Sequence, residues 1–588
     1  DQVTGQLGDL ALQFSGGITG GSGSAFQDFL VRVKGYAGHM AKLLPSNAIP
    51  AGMIDGLVNG AVVLTGPTVS PHIRGEVVLT ESKVTLPDLV EKPIGAQATL
   101  EFEGMIPQAS GVLLDRLELS VPPIRLPIKG KIQLGERFSI DAALSTGTLS
   151  LSRVPEWIAK GGFEAGNVEL SLDMKGKGLD WKTWKTTGWL ALTNGLMNVK
   201  GTEGPIQDLY LRVRFVKNGA EIKRLSLRLL DSDVALEGSI RNWVGKPVIT
   251  AKIDSNQMDL DLLIPKGPRS PIREFLEALA ATSKVQATAS IARGHYKHLK
   301  FGSLSARITI QDGVLDLDRL SGQSSNGDVA GRIVVQLPRK QPADAELSVR
   351  ATGLLVEDVL KLFGPKAGVI TGEARVTGTI RGHGKNPHGL SPTLDGKVDV
   401  LLENGRIFKS EERAVWKIIS ILNLPAVLQG KVDLEKDGMP YNKISAKVLV
   451  RNGLFETENL IIDSPIVKIT AAGNYDLPTD QIDMVWAVSP FGSYSQFLKT
   501  IPLFGRLFAG DRKGIATALF SVKGSIEDPE VTYLPMKSFA TGVTGLAQLA
   551  FDILKNTLML PIDLMTPDEE KADDKGTLPT PEPVPSAP

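Results

Sequence analysis

The sequence predicts a mainly β protein: an elongated antiparallel sheet with one apolar face and a few short amphipathic helices. Three observations predict it. Apolar and polar residues alternate with period two over many segments. Short turn signals separate those segments, and one larger pattern recurs along the chain. The composition agrees: of 588 residues 61 are glycine and 36 proline, with only 6% aromatic, which suits short strands joined by turns and lined with aliphatic side chains.

The alternation names the expected lining. Leu209, Leu211, Val213 and Phe215 interleave with Tyr210, Arg212 and Arg214. Leu225, Leu227 and Leu229 alternate with Arg224, Ser226 and Arg228, and Leu304, Ala306, Ile308 and Ile310 with Ser305, Arg307 and Thr309. The same parity holds for Leu347 and Val349, Val398 and Val400, Ile444, Val448 and Val450, Val467 and Ile469, and Met484 and Trp486. Each set reads as the oily face of one strand.

Between strands, Asn194-Gly195, Asn218-Gly219, Asp312-Gly313, Asn404-Gly405 and Asn452-Gly453 predict two-residue type I′ hairpin turns, and therefore antiparallel pairing. The turns at 218, 312 and 452 each open a unit in which a strand ending in Gly238, Gly331 or Gly473 follows roughly 18 to 20 residues on, an internal repeat that extends a sheet along one axis. Residues 76–86 are a weaker copy. Helices are expected at 271–281, after the Ser270-Pro271 start, at Val415, Ile418, Ile419 and Leu422, and over 26–44, where Phe26, Phe29, Leu30, Val33, Met40 and Leu43 share a stripe. Such helices are candidates for plugs or lids on the oily face.

Towards the C-terminus an amphipathic segment, 494–510, places apolar Phe497, Ile501, Phe504, Leu507 and Phe508 beside Lys499 and Arg506, with Arg512 and Lys513 close behind. These four cations are the expected contacts for anionic lipid head groups, the alternative being a solvated amphipathic helix covering the end of the sheet. Residues 536–565 read as apolar helices whose uncharged stretch is too short to span a bilayer. Residues 566–588, acidic and proline-rich, read as a disordered tail. The expected organisation is thus 1–60, a strand and an amphipathic helix; 61–394, groove repeats; 395–535, a C-terminal β region; then the helices and the tail.

Charge and composition exclude several classes. The 65 basic side chains balance the 65 acidic ones, which leaves no nucleic-acid footprint. There is no cysteine, so no disulfide, thiolate metal site or cysteine nucleophile. His295 and His298 point to opposite faces if they lie on a strand, and His383 and His388 sit in a glycine-rich stretch with no carboxylate nearby in sequence, so no metal site is expected. The run Gly16 to Gly23 lacks a following Gly-Lys-Ser/Thr and reads as a hinge; no Gly-x-Ser-x-Gly elbow occurs. Neither an enzyme nor a cofactor is expected.

The run 445–465 (Ser-Ala-Lys-Val-Leu-Val-Arg-Asn-Gly-Leu-Phe-Glu-Thr-Glu-Asn-Leu-Ile-Ile-Asp-Ser-Pro), the strand to Gly473, and Pro502-Leu503-Phe504-Gly505 resemble, in order and spacing, the conserved end of the AsmA-like family, which includes the TamB and YhdP types. Residues 75–87 are similar to that family's strand-turn-strand repeats. The resemblance is firm over 395–535 and diffuse over 60–395. It implies a taco-shaped hydrophobic groove, phospholipid as the partner molecule, and a bridge between the inner and outer membranes of a diderm bacterium across the periplasm. It also implies an N-terminal transmembrane anchor, absent from this chain, and possible inner- or outer-membrane partner proteins. Two other readings stay open from the residues: a closed solenoid or sandwich whose oily faces fill one another, and an outer-membrane protein assembly factor acting through exposed sheet edges.

Overall fold

The computed structural model describes residues 2–534, apart from 41–52, 264–270, 362–369, 423–433, 491–517 and several shorter stretches. Thirty-two strands and a few short helices make up the described residues, so the predicted open, mostly antiparallel sheet is what forms. The chain divides into two compact units, residues 1–402 with 450–453, and residues 403–449 with 454–588.

In the first unit successive strands pair antiparallel, from Gln2–Leu7 against Leu10–Thr19 to Ala343–Leu355 against Glu373–Gly384. One junction differs: Val248–Ser255 runs parallel to Lys284–Tyr296. Parallel neighbours need a crossover, and the connection supplies one with the 3-10 turn Leu260–Leu263 and the expected helix, Pro271–Thr282. A small side sheet joins Ile54–Gly56, Ser82–Leu86 and Val90–Lys92. Its Lys92 is 2% exposed and donates to the Ser82 and Pro93 carbonyls at 2.7 and 2.9 Å. Burial lowers its pKa.

The repeat is real, with a different role for its glycines. Asp312-Gly313 and Asn452-Gly453 form two-residue turns with both φ angles positive (51° and 81°, 48° and 78°), as type I′ requires. At the third copy the turn is Lys217-Asn218, and only Asn218 is left-handed (57°). In each copy the strand after the turn slips register by a bulge, between Ile222 and Leu225, Leu317 and Leu320, and Thr457 and Leu460. Gly238, Gly331 and Gly473 lie opposite those slips, in mid-strand rather than at strand ends. A Cβ there would stand 2.4, 2.5 and 2.3 Å from the Thr250, Ser348 and Asp483 carbonyl oxygens, so glycine lets the next strand close in beside the bulge.

Three sequence expectations are corrected. Asn194-Gly195 and Asn404-Gly405 are not hairpin turns but lie inside the strands Lys185–Met197 and Asp395–Ile407, each asparagine at φ 53°. Register shifts between Leu192 and Gly195, since the same positive φ serves a bulge. The helix expected over 26–44 is instead the strand Ala25–Tyr36 followed by one short helical turn, Ala37–Met40. Asp28, at φ 45°, makes a bulge between Phe26 and Phe29, which brings two residues three apart onto one side, their rings 5.4 Å apart. That i, i+3 pair mimics helical spacing. Nor is Gly16–Gly23 a hinge: Gly16 to Thr19 belong to a strand, and only the residues after it turn.

The second unit is packed differently. Leu454–Asp463, Val467–Asp476, Gln481–Pro490, Ala518–Ser525 and Glu530–Leu534 form an antiparallel run. Residues of both parities are buried: Ile469, Ala471 and Trp486, but also Thr470, Ala472, Val485 and Ala487. The predicted helix, Ala414–Ile421, buries Trp416, Ile418 and Ile419. Arg413 and Lys417 tie it to the last hairpin through the Ile526 and Pro529 carbonyls, at 3.1 and 2.7 Å.

Candidate functional site

The candidate site is the apolar face of the first unit. Pairing registers can be followed across it, one residue per strand. A row of twenty reads Phe14, Val31, Val62, Gly75, Phe102, Leu117, Ile128, Leu144, Leu172, Gly188, Phe215, Ala220, Ile240, Ile249, Val285, Ile310, Leu315, Val335, Ala345, Gly382. No polar side chain interrupts it. A parallel row runs Leu170, Leu190, Val213, Ile222, Gly238, Ala251, Ala287, Ile308, Leu317, Ile333, Leu347, Ile380. At about 4.8 Å per strand, the first row extends on the order of 90 Å.

Most residues of these rows are half-buried rather than buried; Leu347 is 42% exposed. Closed packing occurs at one place without a covering element, where Ile73, Leu114, Ile132, Ile140 and Ala142 form a buried cluster against Phe102, Leu117 and Ile128 of the first row, and elsewhere where a short element lies over the face. Leu276, Leu279 and Ala280 of the helix Pro271–Thr282 rest on Ile249, Val285, Ile310 and Leu315. The turn Leu151–Arg153 covers Leu192 and Leu209, and the helix Val356–Leu360 covers Ala351, Leu354 and Ala374. Of the helices expected as plugs or lids, Pro271–Thr282 lies against this face, while Leu151–Arg153 and Val356–Leu360 cover it without a signal read from the sequence.

The opposite face is polar and largely charge-paired. Arg116 meets Glu118 at 2.7 Å, Lys175 meets Asp141 at 2.6 Å and Arg332 meets Asp316 at 2.6 Å. Hydrogen bonds from Arg214 and then Lys223 pull the Glu221 carboxyl down to about 2.

Of the expected lining, Leu211, Val213, Phe215, Leu225, Leu227, Leu229, Leu304, Ala306, Ile308 and Val349 are half-buried on this face. Leu209 and Ile310 lie beneath the covering elements. Val398 and Val400 are half-buried, Val398 abutting Gly378, the partner of Val349. Val448 is half-buried, whereas Ile444 and Val450 are buried. Val467, Ile469, Met484 and Trp486, expected in an open lining, instead fill a core closed on both sides, at 2, 1, 6 and 6% exposure. The near-continuous apolar run Met484–Val488 is the sequence mark of such two-sided burial. Lys499, Arg506, Arg512 and Lys513, with the segments 494–510, 536–565 and 566–588, lie outside the described residues.

Two histidine readings change. His383, expected without a carboxylate neighbour, ends a strand with its Nδ1 2.7 Å from Asp344. His295 lies near Asp259 and Asp261, their ligand atoms within 4.8 Å of one another. Both carboxylates there accept backbone N–H groups, of Asp261 and Lys297 respectively, which accounts for them as turn locks.

Residues 245–531 match a family model described as YhdP protein. Over these residues the chain is similar to the YhdP family. The YhdP match takes in the parallel crossover, the repeat copies at 312–331 and 452–473, and nearly all the described strands of the second unit; the copy at 218–238 precedes it. YhdP proteins are a bacterial envelope family and not an enzyme family. No curated protein and no solved structure matches the chain. Among the described residues no helix is long and apolar enough to cross a membrane.

Proposed function

We propose that the apolar face of the first unit holds phospholipid acyl chains and lets them pass along it, across the periplasm between the inner and outer membranes, with no chemical step. The twenty-residue row, free of polar side chains, mostly half-buried and covered by the helix Pro271–Thr282 at Ile249, Val285, Ile310 and Leu315, is the observation that carries the proposal. Each CH₂ of an acyl chain costs about 0.8 kcal/mol in water, so a chain of about 16 carbons faces a barrier of roughly 10 kcal/mol without an apolar path. Aliphatic residues interspersed with Gly188, Gly238, Ala251 and Ala287 hold a chain at every strand without a deep pocket to trap it. Lys499, Arg506, Arg512 and Lys513 then meet anionic head groups where lipid enters or leaves.

The test is native mass spectrometry with lipid extraction on the purified chain and on a variant carrying Val213→Asp and Ile308→Asp. Several phospholipids should accompany the wild type and be lost from the folded variant. A folded wild type that carries no lipid and takes up none from vesicles refutes the proposal.

A further inference from the structure

On the polar face of the first unit one cation pair stands out. Arg212 and Arg224 are direct cross-strand partners, both exposed. Neither makes an ion pair among the described residues; the Arg224 guanidinium stands instead 5.9 Å from the Tyr210 ring centre. The nearby carboxylates are engaged elsewhere, Glu221 with Arg214 and Lys223 at 2.7 Å each and Asp208 with Arg228 at 2.8 Å. Trp189, the partner of Arg214, shares the face and is 39% exposed.

Like charges directly opposite on a sheet are destabilising, so this pair weakens the bare fold. Tryptophan, tyrosine and arginine are the residues that binding surfaces concentrate. We propose that Trp189, Tyr210, Arg212 and Arg224 form a docking surface for a carboxylate-rich segment of a partner protein, gripped bidentately by the two guanidiniums. A bilayer surface fits less well. Asp173, Glu169 and Glu237, on the adjoining strands of the same face, border the cationic strip and would oppose a broad anionic plane, whereas one narrow segment avoids them. The surface lies opposite the apolar rows, so the inference does not depend on lipid binding.

The experiment titrates a labelled peptide of about ten alternating Glu and Asp residues, by fluorescence anisotropy at physiological salt, into the full chain and its variants; vesicles of phosphatidylglycerol are titrated in parallel. The peptide should bind the wild type, and Arg212→Gln should weaken it about tenfold or more while raising the Tm by relieving the like-charge contact. Trp189→Ala should weaken it as well. Lys175→Gln, a change on the same face at a cation already paired with Asp141, should leave binding unchanged. No binding by the wild type, or equal binding by Arg212→Gln, overturns the proposal. So does a vesicle affinity that depends on Arg212 when peptide affinity does not, which would reassign the strip to lipid head groups.

Discussion

An open trough and a filled core respond differently to the same substitution. Val213 and Val467 are both valines on antiparallel strands, but Val213 is half-buried among Leu190 and Ile222, whereas Val467 is 2% exposed. Val213→Asp loses about half of a full valine transfer, roughly 1 kcal/mol, plus up to about 1 kcal/mol of strand preference. Its carboxylate stays in reach of water. Val467→Asp loses the whole transfer, about 2 kcal/mol, and must also bury a carboxyl group, which adds several kcal/mol unless it is paired. Urea unfolding of delipidated protein, followed by circular dichroism and limited proteolysis, should therefore give Val213→Asp a midpoint slightly below wild type. Val467→Asp should leave the second unit unfolded or protease-sensitive without denaturant. Equal, severe loss in both variants would mean that the first unit's apolar face is filled core, and the trough would have to be abandoned.

The glycines give a second contrast. Gly313→Ala, at φ 81° with no atom within 4 Å of the new Cβ, should cost about 1 kcal/mol of backbone strain alone, whereas Gly238→Val forces Thr250 away and should cost roughly 1–3 kcal/mol or more; denaturant midpoints measure both. A third concerns pH. The folded-state pKa of Glu221 is depressed to about 2, so its contribution is present above its unfolded value near 4.5 and lost as pH falls from there through about 2. Glu221→Gln should accordingly lower the Tm at pH 7 and converge on wild type near the acid end, with a gap that shrinks in high salt because the pair is exposed.

Much of this was legible in the sequence because a half-buried sheet writes its faces into parity. Val213, Ile308 and Leu347 have apolar parity in the sequence, and the pairing registers join them into one row, while Pro271 and Val415 mark true helices. What misled was the bulge. At Asp28 it converts a strand into apparent i, i+3 spacing, and at Asn194 it borrows the dipeptide of a hairpin turn, since positive φ alone does not distinguish the two uses; Asn404 has the same positive φ inside a strand. The parallel pairing of Val248–Ser255 with Lys284–Tyr296 had no parity signature, because direction leaves the alternation unchanged. The closed core around Trp486 is visible in outline as the run Met484–Val488, apolar at every position, whereas alternation alone picks out only Met484 and Trp486 and misses the equally buried Val485 and Ala487.

The face on which lipid travels is tested most directly by photo-crosslinking in living cells, with a diazirine amino acid placed in turn at Ile128, Val213 and Ile333 on the apolar rows and at Lys129, Ser239 and Arg332 on the polar face of the same strands or their neighbours. The account predicts phospholipid adducts at all three apolar positions, far apart along the sheet, and none at the polar three. Adducts on neither face, or equally on both, would contradict it.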